Sequence, residues 1–357
     1  MSSLSLQGLR PRAANARARS KRRYWWSDLP DDELLTVPLS ELGLEIEGSP
    51  LEERLRVLCD DLERAGLRFR PYVWLSTDWF CPDGCTGFAI PFFLASKRLM
   101  ALERKLLFDV EGGTSDECLR LLRHETGHAL DNAYRLRRRR EFREHFGPVS
   151  QRYKASYRAN PVSRQFVISL DGWYAQSHPL EDFAETFAVR IGEPRTWRKR
   201  YADWAALRKL VYMDELLTEV GESTPALRST ARPESLSRES QTLGEYYVQR
   251  RKDYLDEDER ADQRLSAVFE ARPRRSRRES AAGFLRANRR DLVEAVSNVS
   301  RVERYVVDQA LREMVRGCRR LSLAADRDDP STMVRAGALL GVMSHELVTN
   351  RSPEFRR

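Results

Sequence analysis

Two histidines four residues apart, with a glutamate directly after the first, stand at His124-Glu125-Thr126-Gly127-His128. On a helix, side chains at i and i+4 share a face, so both imidazoles can converge on one tetrahedral cation while Glu125 reaches a water on it. The chemistry open to such a set is metal-assisted hydrolysis. A bound Zn2+ lowers the pKa of its water to about 7, and the neighbouring carboxylate takes the proton. Such a centre also needs a third protein ligand and an open fourth position.

The third ligand must come from further along the chain. Six residues past His128, where a metzincin pattern would put it, stands Tyr134, and that pattern fails. A better source is Ser177-His178-Pro179-Leu180-Glu181-Asp182-Phe183-Ala184-Glu185-Thr186-Phe187, which reads as a helix opened by Pro179 with Ser177 or His178 as its cap. At helical spacing Leu180, Phe183, Ala184, Phe187 and Ile191 form one apolar stripe. Glu181 falls on its border, Glu185 one turn on and slightly further out, and Asp182 toward solvent. Glu181 is therefore the expected third ligand, with His178 as the competing one. Glu185 suits another role, accepting the free ring N–H of a zinc histidine and fixing its tautomer.

The stretches from His124 to Asp131 and from Glu181 to Phe187 resemble the zinc-binding HExxH and ExxxE core of gluzincin peptidases of the anthrax lethal factor type. The His-Pro-x-Glu-Asp-Phe-Ala-Glu wording is still more similar to a group of bacterial zinc-binding metallopeptidases. The resemblance covers about residues 110–192. It implies a zincin-like domain carrying Zn2+ on His124, His128 and Glu181, with Glu125 as general base and Glu185 behind the ligands. Asp131, which closes the first stretch, is expected to brace the ligands together with Glu185. The resemblance also implies an oxyanion donor, Tyr174 in Asp171-Gly172-Trp173-Tyr174, a kind of contact that contributes a few kcal/mol, roughly, to a barrier. The implied substrate is a peptide or protein, while the groups themselves are equally consistent with peptide, isopeptide and modified amino-acid amide bonds.

These residues need elements to hold them. Thr114 and Glu117 form a capping box that starts a helix over about residues 115–134, with Leu119, Leu122, Ala129 and Ala133 as its apolar flank. Gly127 costs that helix about 1 kcal/mol relative to Ala, which is tolerable where a backbone must come close. Ser49, Pro50 and Glu52 open an earlier helix with Leu51, Leu55, Leu58 and Leu62 on one face, ended by Gly66. Alternation of Leu67, Phe69, Pro71, Val73 and Leu75 with Arg68, Arg70, Tyr72 and Trp74 predicts a strand. Residues 86–96 form a second apolar stretch that Pro91 confines to an edge strand or loop, and an extended substrate can add itself to such an edge. Arg137 to Arg140 point all round a helix and read as a solvated surface. Residues 148–176 lack periodicity and predict a long loop of the kind that shapes clefts.

A chain of 357 residues with 41% apolar content can build about two cored domains. The fold class expected is α+β: a mainly helical zincin-like catalytic domain with a small sheet over 45–220, and a helical C-terminal region over 221–357. Helices are predicted near 197–220, 243–254, 284–296, 302–318 and 333–347, with breaks at 221–240 and 270–283. Residues 333–343 are apolar nearly all round and are expected to be buried. Of the net charge of +8, seven charges sit on Arg10, Arg12, Arg17, Arg19, Lys21, Arg22 and Arg23, so residues 1–40 read as a basic, disordered tail able to meet an anionic partner. No apolar leader core or membrane-length run is present. Five cysteines, Cys59, Cys81, Cys85, Cys118 and Cys318, are an odd and scattered set that suits free thiols in the cytoplasm. A reading of another class is a non-catalytic binding protein stapled by zinc, whose basic tail or helical region contacts a partner or nucleic acid.

Overall fold

Ser49 opens the helix Pro50–Arg64 by accepting the Leu51 amide, and Pro50 occupies a position where its missing N–H costs nothing. Leu51, Leu55, Leu58 and Leu62 are fully buried on its inner face. The chain then enters the strand Tyr72–Ser76, which pairs in parallel with Gly87–Pro91, Tyr72 opposite Gly87 and Ser76 opposite Pro91. Ser3–Ser5 adds antiparallel on the other side of Tyr72–Ser76, completing a small three-stranded sheet. Alternation divides this sheet cleanly. Val73, Leu75, Phe88 and Ile90 face the helical core, while Trp74 and Ala89 cluster with Phe80 on the opposite side.

The computed structural model describes residues 3–5, 24–107, 110–153, 159–160, 162–221, 223–272, 279–326 and 329–349. They form an α+β chain, mainly helical with a small sheet. Two compact units divide at Val248 and Gln249. The basic stretch from Arg10 to Arg23, expected to be disordered and to meet an anionic partner, lies outside the described residues.

The first unit includes residues 24–42. Trp26, Leu34, Leu39 and Leu42 are fully buried in its core, and the Trp26 indole donates to the Leu42 carbonyl at 2.8 Å. Residues 229–234, within a stretch that composition marks as a linker, instead lie along the sheet. Tyr72, Trp74, Ser76 and Thr86 donate side-chain hydrogen bonds to the carbonyls of Ala231, Pro233, Glu234 and Ser229.

The edge strand differs from expectation in one respect. The Ala89 amide donates to the Phe80 carbonyl at 2.8 Å, so part of the edge proposed for a substrate is taken by the chain itself. Beyond the strand, Phe92–Ala95 turn in a single 3-10 element, as a proline at the strand end favours.

The second unit is helical, with Ala281–Ala287, Arg289–Ser300, Arg304–Arg320 and Ser331–Thr349 as its described later helices. Burial in the last of these is one-sided. Ala336, Leu340 and Met343 are buried, whereas Val334 is 71% and Val342 48% exposed. The expectation that residues 333–343 are buried is thus met along one stripe only, and the two valines face out. Among the described residues no helix is long and apolar enough to cross a membrane.

Candidate metal centre

Two helices build the site. The histidine helix, Ser115–Tyr134, starts where Thr114 accepts the Glu117 amide, and Arg54 fixes its approach by donating to the Gly112 and Gly113 carbonyls, both at 2.9 Å. The glutamate helix, Pro179–Gly192, is capped by His178, whose Nδ1 accepts the Leu180 amide. They cross at Gly127, where an added Cβ would lie 2.9 Å from Ala184 Cα and 3.3 Å from Ala184 Cβ. The backbone that needs the glycine is therefore that of the glutamate helix.

The crossing brings three ligand atoms together. His124 Nε2 lies 3.1 Å from Glu181 Oε2, His128 Nε2 lies 3.0 Å from the same oxygen, and the two Nε2 atoms are 3.1 Å apart. Zinc–ligand bonds of about 2.0–2.1 Å imply tetrahedral edges of about 3.3 Å, so this triangle is close to one face of a zinc tetrahedron. Two ring nitrogens facing each other at that distance are also better served by a shared cation than by each other. His124, His128 and Glu181 are the group among the described residues that can hold a metal ion, and the donor set, two nitrogens and one oxygen, suits zinc.

Behind the triangle, His124 is completely buried and its Nδ1 meets Glu185 Oε1 at 2.9 Å. The other Glu185 oxygen accepts the amides of Ser169 and Leu170 at 3.1 and 2.8 Å. Burial alone would push His124 down, but the Glu181 and Glu185 carboxylates outweigh it and raise the imidazole to about 10. Burial likewise opposes ionisation of Glu181, yet His128 and His124 hold its carboxyl well below the usual range.

Glu125 is 1% exposed, and neither of its carboxylate oxygens has a hydrogen-bond partner among the described residues. Burial raises it to about 7, against the opposing pull of His124 and His128. An orphaned buried carboxylate beside three convergent ligands is costly for folding. It suits a proton acceptor whose partner arrives with the substrate.

Tyr174 is buried, with its ring centred 5.6 Å from that of His124. The chain reaches it through two successive left-handed residues, Gly172 at φ 75° and Trp173 at φ 53°. For a bulky tryptophan that conformation costs roughly 1–2 kcal/mol, the kind of strain found where a side chain must be aimed. Asp131 spends both oxygens on Arg137, accepting its backbone amide at 2.7 Å and its guanidinium at 2.5 Å. Its bracing thus acts on the turn after the helix.

His178 is not part of the triangle. With Nδ1 accepting from Leu180, its Nε2 donates to the Gln151 carbonyl at 2.8 Å, and the ring stacks on Tyr153. Asp182, expected toward solvent, is 1% exposed and paired with Lys209 Nζ at 2.6 Å. The glutamate helix is covered on every side, so periodicity alone assigned it a solvated face that it lacks. Sequence reasoning also missed Tyr153, whose hydroxyl donates to Glu181 Oε1 at 2.6 Å. It stands in an irregular segment where spacing carries no signal. Cys59, Cys81, Cys85, Cys118 and Cys318 are free thiols.

A protein-family model described as "Putative zinc-binding metallo-peptidase" matches residues 118–192, the span from the histidine helix through the glutamate helix. No curated protein and no solved structure matches the chain.

Proposed function

We propose that the chain is a zinc metallopeptidase of gluzincin type that hydrolyses peptide or isopeptide amide bonds. The observation that carries this reading is the buried Glu125 carboxylate, without a hydrogen-bond partner among the described residues, adjoining a triangle of three metal-ligand atoms. A structural staple needs no such base and favours a fourth protein ligand.

His124, His128 and Glu181 would hold the ion. A zinc ion bound there supplies Lewis acidity toward a water and toward the scissile carbonyl. Glu185 keeps His124 Nδ1 hydrogen-bonded, so that Nε2 presents its lone pair inward. Glu125, which burial raises to about 7 in the metal-free chain, takes a proton from water and returns it to the leaving amine nitrogen. Tyr174 donates its phenolic proton in a hydrogen bond to the carbonyl oxygen as negative charge grows there.

The test is incubation of zinc-loaded wild type and Glu125→Gln with a diverse peptide mixture, followed by mass spectrometry of the fragments. The variant is expected to keep one zinc and lose cleavage. Equal cleavage by both forms would refute the assignment of Glu125, and unfolding of the domain on zinc removal would favour the staple.

A further inference from the structure

The ligand Glu181 has two oxygens, and their surroundings differ. Oε2 faces the two imidazoles at 3.1 and 3.0 Å, while Oε1 accepts the Tyr153 hydroxyl at 2.6 Å. That is the short distance of a charge-assisted O–H···O⁻ bond. Tyr153 is itself held from below. Its ring lies 3.7 Å from that of His178, nearly parallel at 13°, and His178 is fixed at both nitrogens, by the Leu180 amide and the Gln151 carbonyl. Gln151 and Tyr153 belong to one short segment, which is therefore fastened twice to the start of the glutamate helix.

We propose that Tyr153 is a positioning residue for the metal: its phenol, stacked on His178, occupies Oε1 so that Glu181 offers the cation a single oxygen. A carboxylate free at both oxygens can ligate through either or both, and the second would fill the corner that a hydrolytic centre leaves for water. A phenol bonded to Oε1 makes that oxygen a poorer ligand and fixes the plane of the carboxylate. His178, a potential ligand by residue type, serves this arrangement as the platform under the tyrosine. The inference rests on the reading that His124, His128 and Glu181 hold a metal, and is independent of the substrate.

The test compares full-length wild type and Tyr153→Phe by three measurements: zinc affinity by chelator competition, melting of the metal-free chain, and the visible absorption of the Co2+-loaded protein. Phenylalanine keeps the stack and removes only the hydroxyl. Loss of a hydrogen bond behind a metal ligand costs about 10- to 100-fold in affinity, and that loss is expected here with little change in metal-free melting. The Co2+ bands should weaken as a second carboxylate oxygen raises the coordination number. Unchanged affinity and spectrum would overturn the proposal. Wild type that binds no zinc would refute the metal reading itself, whereas zinc binding by wild type with an indistinguishable variant refutes only the role of Tyr153.

Discussion

Gly127→Ala tests whether the two ligand-bearing helices are spaced by direct backbone contact. The new Cβ would sit 2.9 Å from Ala184 Cα and 3.3 Å from both the Cβ and the carbonyl oxygen of Ala184. Carbon contacts settle at about 3.5–4.0 Å, so the helices must part by roughly 0.6–1 Å. Backbone stands on both sides, and no rotamer change can relieve it. Overpacking of this kind costs about 1–3 kcal/mol, while replacing a mid-helix glycine returns about 1 kcal/mol. Folding stability should therefore fall by only about 0–2 kcal/mol. Metal binding is the sharper readout, because ligand distances tolerate only about 0.2 Å. Zinc affinity measured against a fluorescent chelator should drop at least about tenfold, with urea unfolding of the metal-free chain reporting the smaller stability loss. Ala184→Gly in the same chain removes the contact with Cβ but not that with Cα, and should recover the affinity only in part. Wild-type zinc affinity in Gly127→Ala would show that side chains, rather than the helix crossing, set the spacing.

Three further outcomes follow from the charges around the site. In the metal-free chain Glu125 is raised from 4.5 to about 7 by burial, so the folded state binds more protons than the unfolded between those values, and stability falls as pH rises through them. Glu125→Gln should then be more stable than wild type at pH 8, by up to about 3 kcal/mol, with the advantage gone near pH 4; a pH-independent difference in urea unfolding would contradict this. Because the carboxylates raise His124 to about 10 despite its burial, zinc must displace a proton at neutral pH, and its affinity should climb with pH until that value is passed. Calorimetry in buffers of differing ionisation enthalpy would detect the released proton, and no buffer dependence would refute it. Lys209→Met strands the Asp182 carboxylate in the core and should cost about 3–5 kcal/mol, most of it recovered when Asp182→Asn is added; near-additive losses in the double variant would argue against the pair.

Much of this site was legible in the sequence because its signals are local. A capping box, a four-residue histidine spacing and a proline-opened helix are each fixed by neighbours along the chain, and Thr114, His124, His128 and Pro179 all stand where those signals put them. What could not be read depends on pairings that no local pattern names. Lys209 reaches Asp182 across 27 positions, Tyr153 reaches Glu181 across 28, and Phe80 takes the Ala89 amide that the edge strand was expected to keep open. Periodicity can show which side of a helix is apolar. It cannot show that a second layer covers the polar side, which is why Asp182 reads as solvent-facing although it is buried.

One carboxylate joins the candidate metal centre to the irregular loop before it. Glu185 holds His124 with one oxygen and the amides of Ser169 and Leu170 with the other, so displacement at either end is felt at the other. By thermodynamic reciprocity, if ordering of that loop tightens zinc binding by some factor, zinc must favour the ordered loop by the same factor. Exchange of the Ser169 and Leu170 amide hydrogens with deuterated solvent thus becomes a gauge of occupancy, read without any substrate, and it should slow as the cation binds.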